Sequence, residues 1–457
     1  MLQGPFTLHF ILLWVQVLLS LLVIVHALRK RTANLYALAF STSLIVLVTG
    51  QGFWIFNRFA AGATSVNQLF QTIYIGAAER ANWIITACIA MYALMYFLYP
   101  SLKIGITSRS FYRKLPEDTP WLSYLFVVAW TGVFGALVLR SAGGLDAALL
   151  NPGQNFDAGL TLLIMLLGLG KLPLLRKLVL RQKPALVDIL LFSTVTGIYL
   201  LNSRFLAAFL ILQVAFAIHY CIKPLKARWL VVLGLVMVFI FMVFGLYREF
   251  TARFDQVSLP QVVQFFQTRT GDENPVEWFY RLNIEGFVGV AAAAQRDMQA
   301  GLEYDYGVSN LQVVLQMVPA QIRSDPSLPF YDLNQYIMSF FQGRTIVPPG
   351  MENAYRSFGI IGVLFFGLIL GYLSRWFDYR MREPNFNRLV LLLVSVQCIS
   401  LVRGTVRNVF LFSLAELIVL IIFFGMLSFS RYVSRAREAQ DLSSESGSLP
   451  ASEARTT

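Results

Sequence analysis

A polytopic all-α membrane protein is what this sequence predicts, and three observations predict it. Hydrophobic residues make up 57% of the 457 and charged ones only 14%, against ~25% in a soluble domain. Mean hydropathy is +0.62. Apolar runs near the ~20 residues that a helix needs to cross a bilayer recur along the chain, with basic clusters in alternate connections. A chain this apolar cannot cover its surface by folding into one ball in water, so its solvent is lipid.

The first run, 7–28, is long enough to span and carries no small-residue cleavage site, so it reads as a membrane helix rather than a leader. Ten more follow, at 34–56, 83–99, 121–139, 158–175, 185–202, 204–222, 229–246, 355–374, 389–402 and 409–427. About eleven transmembrane helices are therefore expected, the tenth being short. Only Asn202, Ser203 and Arg204 join the sixth and seventh, so one long re-entrant pair is the alternative there.

Lys and Arg in short loops set the orientation. Arg29 to Arg31, Lys103 to Lys114, Arg176 to Lys183, Lys223 to Arg228, Arg375 to Arg388 and Arg431 to Arg437 lie in alternate connections and belong in the cytoplasm. The N-terminus is then outside and the C-terminus inside. Residues 1–246 hold spans one to eight, 247–354 form one large extracytoplasmic loop, 355–427 hold spans nine to eleven, and 428–457 read as a disordered, Ser- and Glu-rich cytoplasmic tail.

The net charge of +12 follows from those cytoplasmic clusters. The outer loop has seven arginines against twelve acidic residues, which argues against nucleic acid as a partner. Cys88, Cys221 and Cys398 all fall in apolar runs, so a disulfide framework is not expected. His9, His26 and His219 have no metal-ligand spacing, and neither a metal nor another cofactor is expected. The loop is rich in aromatics, and stretches such as Leu259 to Gln267 and Ile284 to Gln299 read as amphipathic helices at the membrane surface.

The eight lysines lie on or near the cytoplasmic side, and every basic residue on the outer side is an arginine. Arginine presents a planar fork that holds phosphate or carboxylate through paired hydrogen bonds, whereas lysine is a hydrated point charge. Arg204 opens an apolar run at the outer end of a hairpin, where a charge faces a wet interior or snorkels to the headgroups. Arg403 and Arg407 stand four apart; on a helix they share one face, and an anion between them would relieve their repulsion. Arg344, Glu352 and Arg356 bracket Val347-Pro348-Pro349-Gly350-Met351, an irregular stretch just before the ninth span. Glu352 is either a general base or a helix-cap carboxylate. Glu416 lies within the eleventh span as a functional carboxylate or as the buried partner of one of these arginines. Gly359, Gly362, Gly367 and Gly371 read as close helix packing.

Three passages resemble the bacterial oligosaccharide repeat-unit polymerases, the Wzy type that builds O-antigen, enterobacterial common antigen and related exopolysaccharides. They are Asn202-Ser203-Arg204 with the apolar Phe205 to Leu212; Met317 to Pro326 with Val347 to Gly362; and Arg403-Gly404. The resemblance covers about half the chain, mainly 195–425. At Asp325 the sequence departs from it, since relatives often carry a basic residue before that proline.

The resemblance implies a metal-independent membrane glycosyltransferase in the bacterial inner membrane. It would act at the periplasmic face on undecaprenyl-diphosphate-linked oligosaccharide, in company with the bilayer and a chain-length regulator. It implies a diphosphate clamp from Arg204, Arg403 and Arg407, and Glu352 as the base for the acceptor hydroxyl. Arg344, Arg356, Arg281, Asn353, Tyr355 and Glu416 would contact substrate. Two rivals predict other features. An O-antigen ligase calls for a histidine in the outer loop, which has none. A lipid-oligosaccharide flippase calls for repeats and for charges through the whole bilayer depth.

Overall fold

The computed structural model describes residues 6–29, 32–68, 71–102, 120–141, 164, 166–202, 204–236, 280, 286–300, 304, 306–307, 326–327, 350–382, 387–402 and 406–446. Most of them are helical. In chain order the elements are α1 (Thr7–Arg29), α2 (Leu35–Ala60), α3 (Ile75–Leu102), α4 (Trp121–Ser141), α5 (Leu172–Val179), α6 (Leu186–Asn202), α7 (Arg204–Ala217), α8 (Ala227–Val236), α9 (Phe287–Ala300), α10 (Gly350–Arg382), α11 (Asn387–Ile399) and α12 (Val406–Ser446). A short antiparallel hairpin, β1 (Ser65–Gln68) and β2 (Gln71–Tyr74), joins α2 to α3. It is a small exception to the all-α expectation.

Among the described residues, six helices are long and apolar enough to cross a membrane: α1, α2, α3, α4, α10 and α12. Shorter apolar helices fall at Leu186–Leu200, Leu206–Ile222, Ala227–Val236 and Arg388–Val402. The expected fifth span contributes a 3-10 turn, Gly168–Lys171, running into α5. α12 runs on to Ser446, so residues 428–446 of the tail read as disordered are a continuous helix.

Helices form here because hydrocarbon offers the backbone no partner, and an α-helix satisfies its N–H and C=O groups internally. The lipid-facing surface is apolar: Ile11, Trp14, Leu18 and Leu22 form a stripe along α1, and Leu186 on α6 and Ile421 on α12 are exposed. Polar side chains turn inward. Below the face where α1 begins, Asn82 Nδ2 donates to His9 O at 3.0 Å, and Gln16 Nε2, deeper in the bundle, donates to Asn82 Oδ1 and Thr86 Oγ1, both at 2.8 Å. At the opposite face, Asn34 caps α2 through Ala37 N and donates to Ser374 O, while Asp378 accepts from Tyr220 and Arg382.

The tightest helix pair is α3 with α10, and glycine makes it so. A Cβ at Gly371 would stand 2.5 Å from Tyr92 O, and one at Gly367 would collide with Cys88 O. The packing role read for these two glycines holds. Gly359 and Gly362 do something else. Helical geometry breaks at Phe358 and Gly359, where Gly359 has φ +62, a value that favours glycine. Past the break the chain doubles back: Gly362 lies against Ala354 O, and Gly350 against Phe366. In a straight helix Gly350 and Phe366 would be ~24 Å apart. Thus α10 is a helical hairpin. A short arm, 350–357, rises to a turn at the α1-start face, and a long arm, 360–382, crosses the bundle.

α9 is a second segment of this kind. The expectation for it was a helix lying on the membrane surface. Instead Gly286 packs on Leu47 O, and Val288 N donates to Gln51 Oε1 at 3.2 Å. Gln51 lies nine residues inside the end of α2, or ~14 Å below that face. The other end of α9 is at the face, where Gln295 accepts from Tyr74 N and Asp297 pairs with Arg80. Five consecutive apolar residues, Val290 to Ala294, are buried. The Ala-rich sequence explains the change, because small side chains let a helix wedge between α2, α3 and α10 rather than float on them. α2 carries a π-helical stretch, Leu44–Thr49, at the contact with Gly286.

Replacing Gly371 with Leu is expected to cost ~1–3 kcal/mol by overpacking, read as a lowered thermal unfolding midpoint in detergent. Gly425→Leu is the control, because a Cβ there meets nothing within 4 Å, and it should leave the midpoint unchanged.

Candidate functional site

Two polar clusters stand out inside this apolar fold. The first lies below the α1-start face, between the re-entrant α9 and the short arm of α10. That arm is amphiphilic in an unusual sense, since its polar residues are the buried ones. Glu352 is 3% exposed, Asn353 5%, Arg356 8% and Ser357 2%. The hairpin turn places them under the face; Pro348 and Pro349, read from the sequence as an irregular stretch, lie outside the described residues. Tyr355 Oη donates to Asp297 Oδ2 at 2.7 Å, and the same oxygen takes Arg80. Asp297 therefore ties three elements together: α9, the short arm and the start of α3. Beside it, His9 Nε2 lies 3.3 Å from Glu79 Oε1, and its ring stacks on Phe56 at 5.0 Å.

The arm begins against the end of α11. A Cβ on Gly350 would stand 2.6 Å from Leu401 O. Leu401 lies two residues before Arg403, so the chain carrying Glu352 and the chain carrying Arg403 start from one point. Arg403 itself lies outside the described residues, as do Arg344 and Arg281. The flanks of Arg281 are informative, because Tyr280 packs on Gly50 and Gly286 on Leu47, both well inside α2.

The second cluster is in the membrane core. Lys171 and Glu416 form a buried ion pair. Gln213 Nε2 and Gln397 Nε2 each donate to the same oxygen, Glu416 Oε1, at 3.4 Å. Tyr199 completes the polar lining of a small pocket whose remaining walls include Leu206, Phe209 and Phe412. The partner of Glu416 is thus a lysine, not one of the arginines expected. The expectation that all lysines stay on or near the cytoplasmic side fails at Lys171. Its sequence signal was a lone cation inside the apolar run 158–175, which is by default a functional or paired residue.

The core cluster also fixes heights. α7 and α12 run in the same direction, and Gln213 meets Glu416. Arg204 and Arg407 each stand nine residues earlier on their helices, hence at one level, ~14 Å above the pair. Nine residues is two and a half turns, so both positions lie on the sides of their helices turned away from the Gln213–Glu416 contact. The side chains of both arginines lie outside the described structure.

Asp297, Arg80, Lys171, Gln213 and Gln397 were not singled out in the sequence. Asp297 and Arg80 look like ordinary surface charges of a polar loop. The glutamines carry no charge to mark them in an apolar run. Comparison of the chain with models of known protein families, with curated proteins and with solved structures finds no match.

Removing one member of a buried ion pair leaves an uncompensated charge, at a cost of ~3–5 kcal/mol, while removing both is far milder. Lys171→Met and Glu416→Gln should each lower the unfolding midpoint strongly, and the double variant should recover most of the loss. Tyr355→Phe should cost ~1 kcal/mol by the same measurement, from one lost hydrogen bond.

Proposed function

We propose that this chain is a membrane-embedded polymerase of lipid-linked oligosaccharides, working at the face where α1 begins, which we take as the periplasmic face of a bacterial inner membrane. The observation that carries the reading is the short arm of α10. It holds Glu352, Asn353 and Arg356 buried below a membrane face, and it starts beside the end of α11, two residues before Arg403. Burying a carboxylate and a guanidinium at this depth is costly, and polar residues so placed mark substrate paths. The Wzy-type resemblance falls on these same segments, 347–362 and 403–404.

In this proposal the acceptor hydroxyl attacks the anomeric carbon of the donor glycan. The bond from that carbon to the diphosphate oxygen breaks, and the diphosphate leaves on its undecaprenyl carrier. Glu352 takes the hydroxyl proton as the general base. Arg204, Arg403 and Arg407 stabilise the charge developing on the leaving diphosphate. The support for this role is the common level of the Arg204 and Arg407 positions, one depth on two neighbouring helices. Arg356, with Arg344, Arg281 and Asn353, orients the sugars. Tyr355 is reassigned from substrate contact to positioning, because its hydroxyl is committed to Asp297. Glu416, paired with Lys171 in the core, belongs to the scaffold of this site and not to its substrate contacts.

The test is deletion of the gene and complementation with Glu352→Gln and Arg403→Ala. Surface glycan is run on a gel, the lipid-linked pool is extracted and protein level in the membrane is measured. Each variant should lose long polymer by ~10²-fold or more, keep single units on the surface anchor and leave protein level unchanged. Full-length polymer from either variant overturns its assigned role. In the deletion strain, long chains retained on the carrier would identify a ligase instead, and single units held in the inner leaflet a transporter.

A further inference from the structure

The core pocket has an unusual imbalance of hydrogen-bonding groups. Three donors, Lys171 Nζ, Gln213 Nε2 and Gln397 Nε2, converge on one oxygen of Glu416. Its second oxygen takes no hydrogen bond from the described residues. The amide oxygens Gln213 Oε1 and Gln397 Oε1 are buried and have no partner among the described residues. An ammonium carries three N–H groups, and Lys171 gives one of them to Glu416. Gln213 is fully buried, Gln397 and Lys171 are each 2% exposed, and Glu416 is 9% exposed. In hydrocarbon each unmade hydrogen bond costs more than at a protein surface.

That imbalance selects the ligand. An anion would suit Lys171 and be repelled by Glu416 and the amide oxygens. A metal cation would suit the oxygens and be repelled by Lys171. A lipid chain would satisfy no group. A small neutral molecule that both donates and accepts suits Lys171, the second Glu416 oxygen and the Gln397 amide oxygen together, and the pocket lined by Lys171, Tyr199, Gln397 and Glu416 admits about one water. We propose that this pocket is a specific water-binding site in the membrane core. The water donates to Glu416 and to Gln397 Oε1 and accepts from Lys171. This inference stands on the core cluster alone and is independent of the proposed reaction.

The experiment is X-ray radiolytic hydroxyl-radical footprinting of the full chain in lipid nanodiscs, run in 18O-labelled water. Radicals born from a bound water oxidise the side chains beside it. With every rate divided by the intrinsic radical reactivity of its side-chain type, Tyr199 and Phe412 should be labelled at least several-fold faster than Leu190 and Ile421, which face lipid. Two variants remove the site in different ways. Gln397→Leu deletes an unpaired oxygen, and Ala415→Leu fills the pocket, which Ala415 lines, while keeping every polar group. Either variant that folds should bring Tyr199 and Phe412 down to the rate of Ile421. Wild-type labelling no faster than at Ile421 overturns the proposal. So does labelling that persists in a folded pocket-filled variant.

Discussion

Backbone hydrogen bonding in a solvent without partners is the constraint on which everything else in this structure depends. Lipid gives N–H and C=O groups nothing, so the crossing segments are helices and their polar side chains must find one another. That requirement accounts for the inward network of Gln16, Asn82 and Thr86, for the shared oxygen of Glu416, and for Asn34 serving two helices at once. None of these contacts would be remarkable in water. In hydrocarbon each one determines how two helices meet.

The same constraint makes the re-entrant segments informative. Irregular backbone at membrane depth is tolerated where protein or a wet cavity covers it. The turn at Phe358 and Gly359 is near the face, and the start of the short arm is covered by Leu401 and Phe366. The entry of α9 is covered by α2 at Leu47 and Gln51. Two half-crossing helices therefore leave the face without exposing backbone to lipid. Between them they bury carboxylate, guanidinium and amide groups below the face, where full spans alone would have placed leucines. Asp297 is the knot, binding Tyr355 of one segment and Arg80 of a full span.

The two polar clusters divide the labour. The core cluster holds α7, α11 and α12 in axial register through Gln213, Gln397 and Glu416. Arg204 and Arg407 stand at the starts of α7 and α12, and Arg403 follows α11 in the sequence. The upper cluster supplies the polar groups of the short arm. A scaffold set by buried charge in the core and a reactive layer near the face is consistent with the proposed transfer reaction. Such a reaction needs anionic and sugar groups near headgroup depth and an apolar path for the carrier below.

Hydropathy in the sequence by itself determined the solvent, the helical class and the positions of the apolar segments. These are sums over many residues, and each residue adds independently. It also marked Glu352, Arg356 and Glu416, because a charge in or beside an apolar run is rare whatever its surroundings. Pairing was decided only in three dimensions. Lys171 lies 245 positions from Glu416, and no local pattern joins them. The hairpin in α10 was hidden because residues 350–382 are helical on both sides of the break, and only the backbone at Gly359 shows that the chain turns back. The surface helix expected at 284–299 became a re-entrant one for a similar reason. Amphipathicity shows that one face must be covered, while the neighbours that tertiary packing brings up decide whether lipid headgroups or other helices cover it.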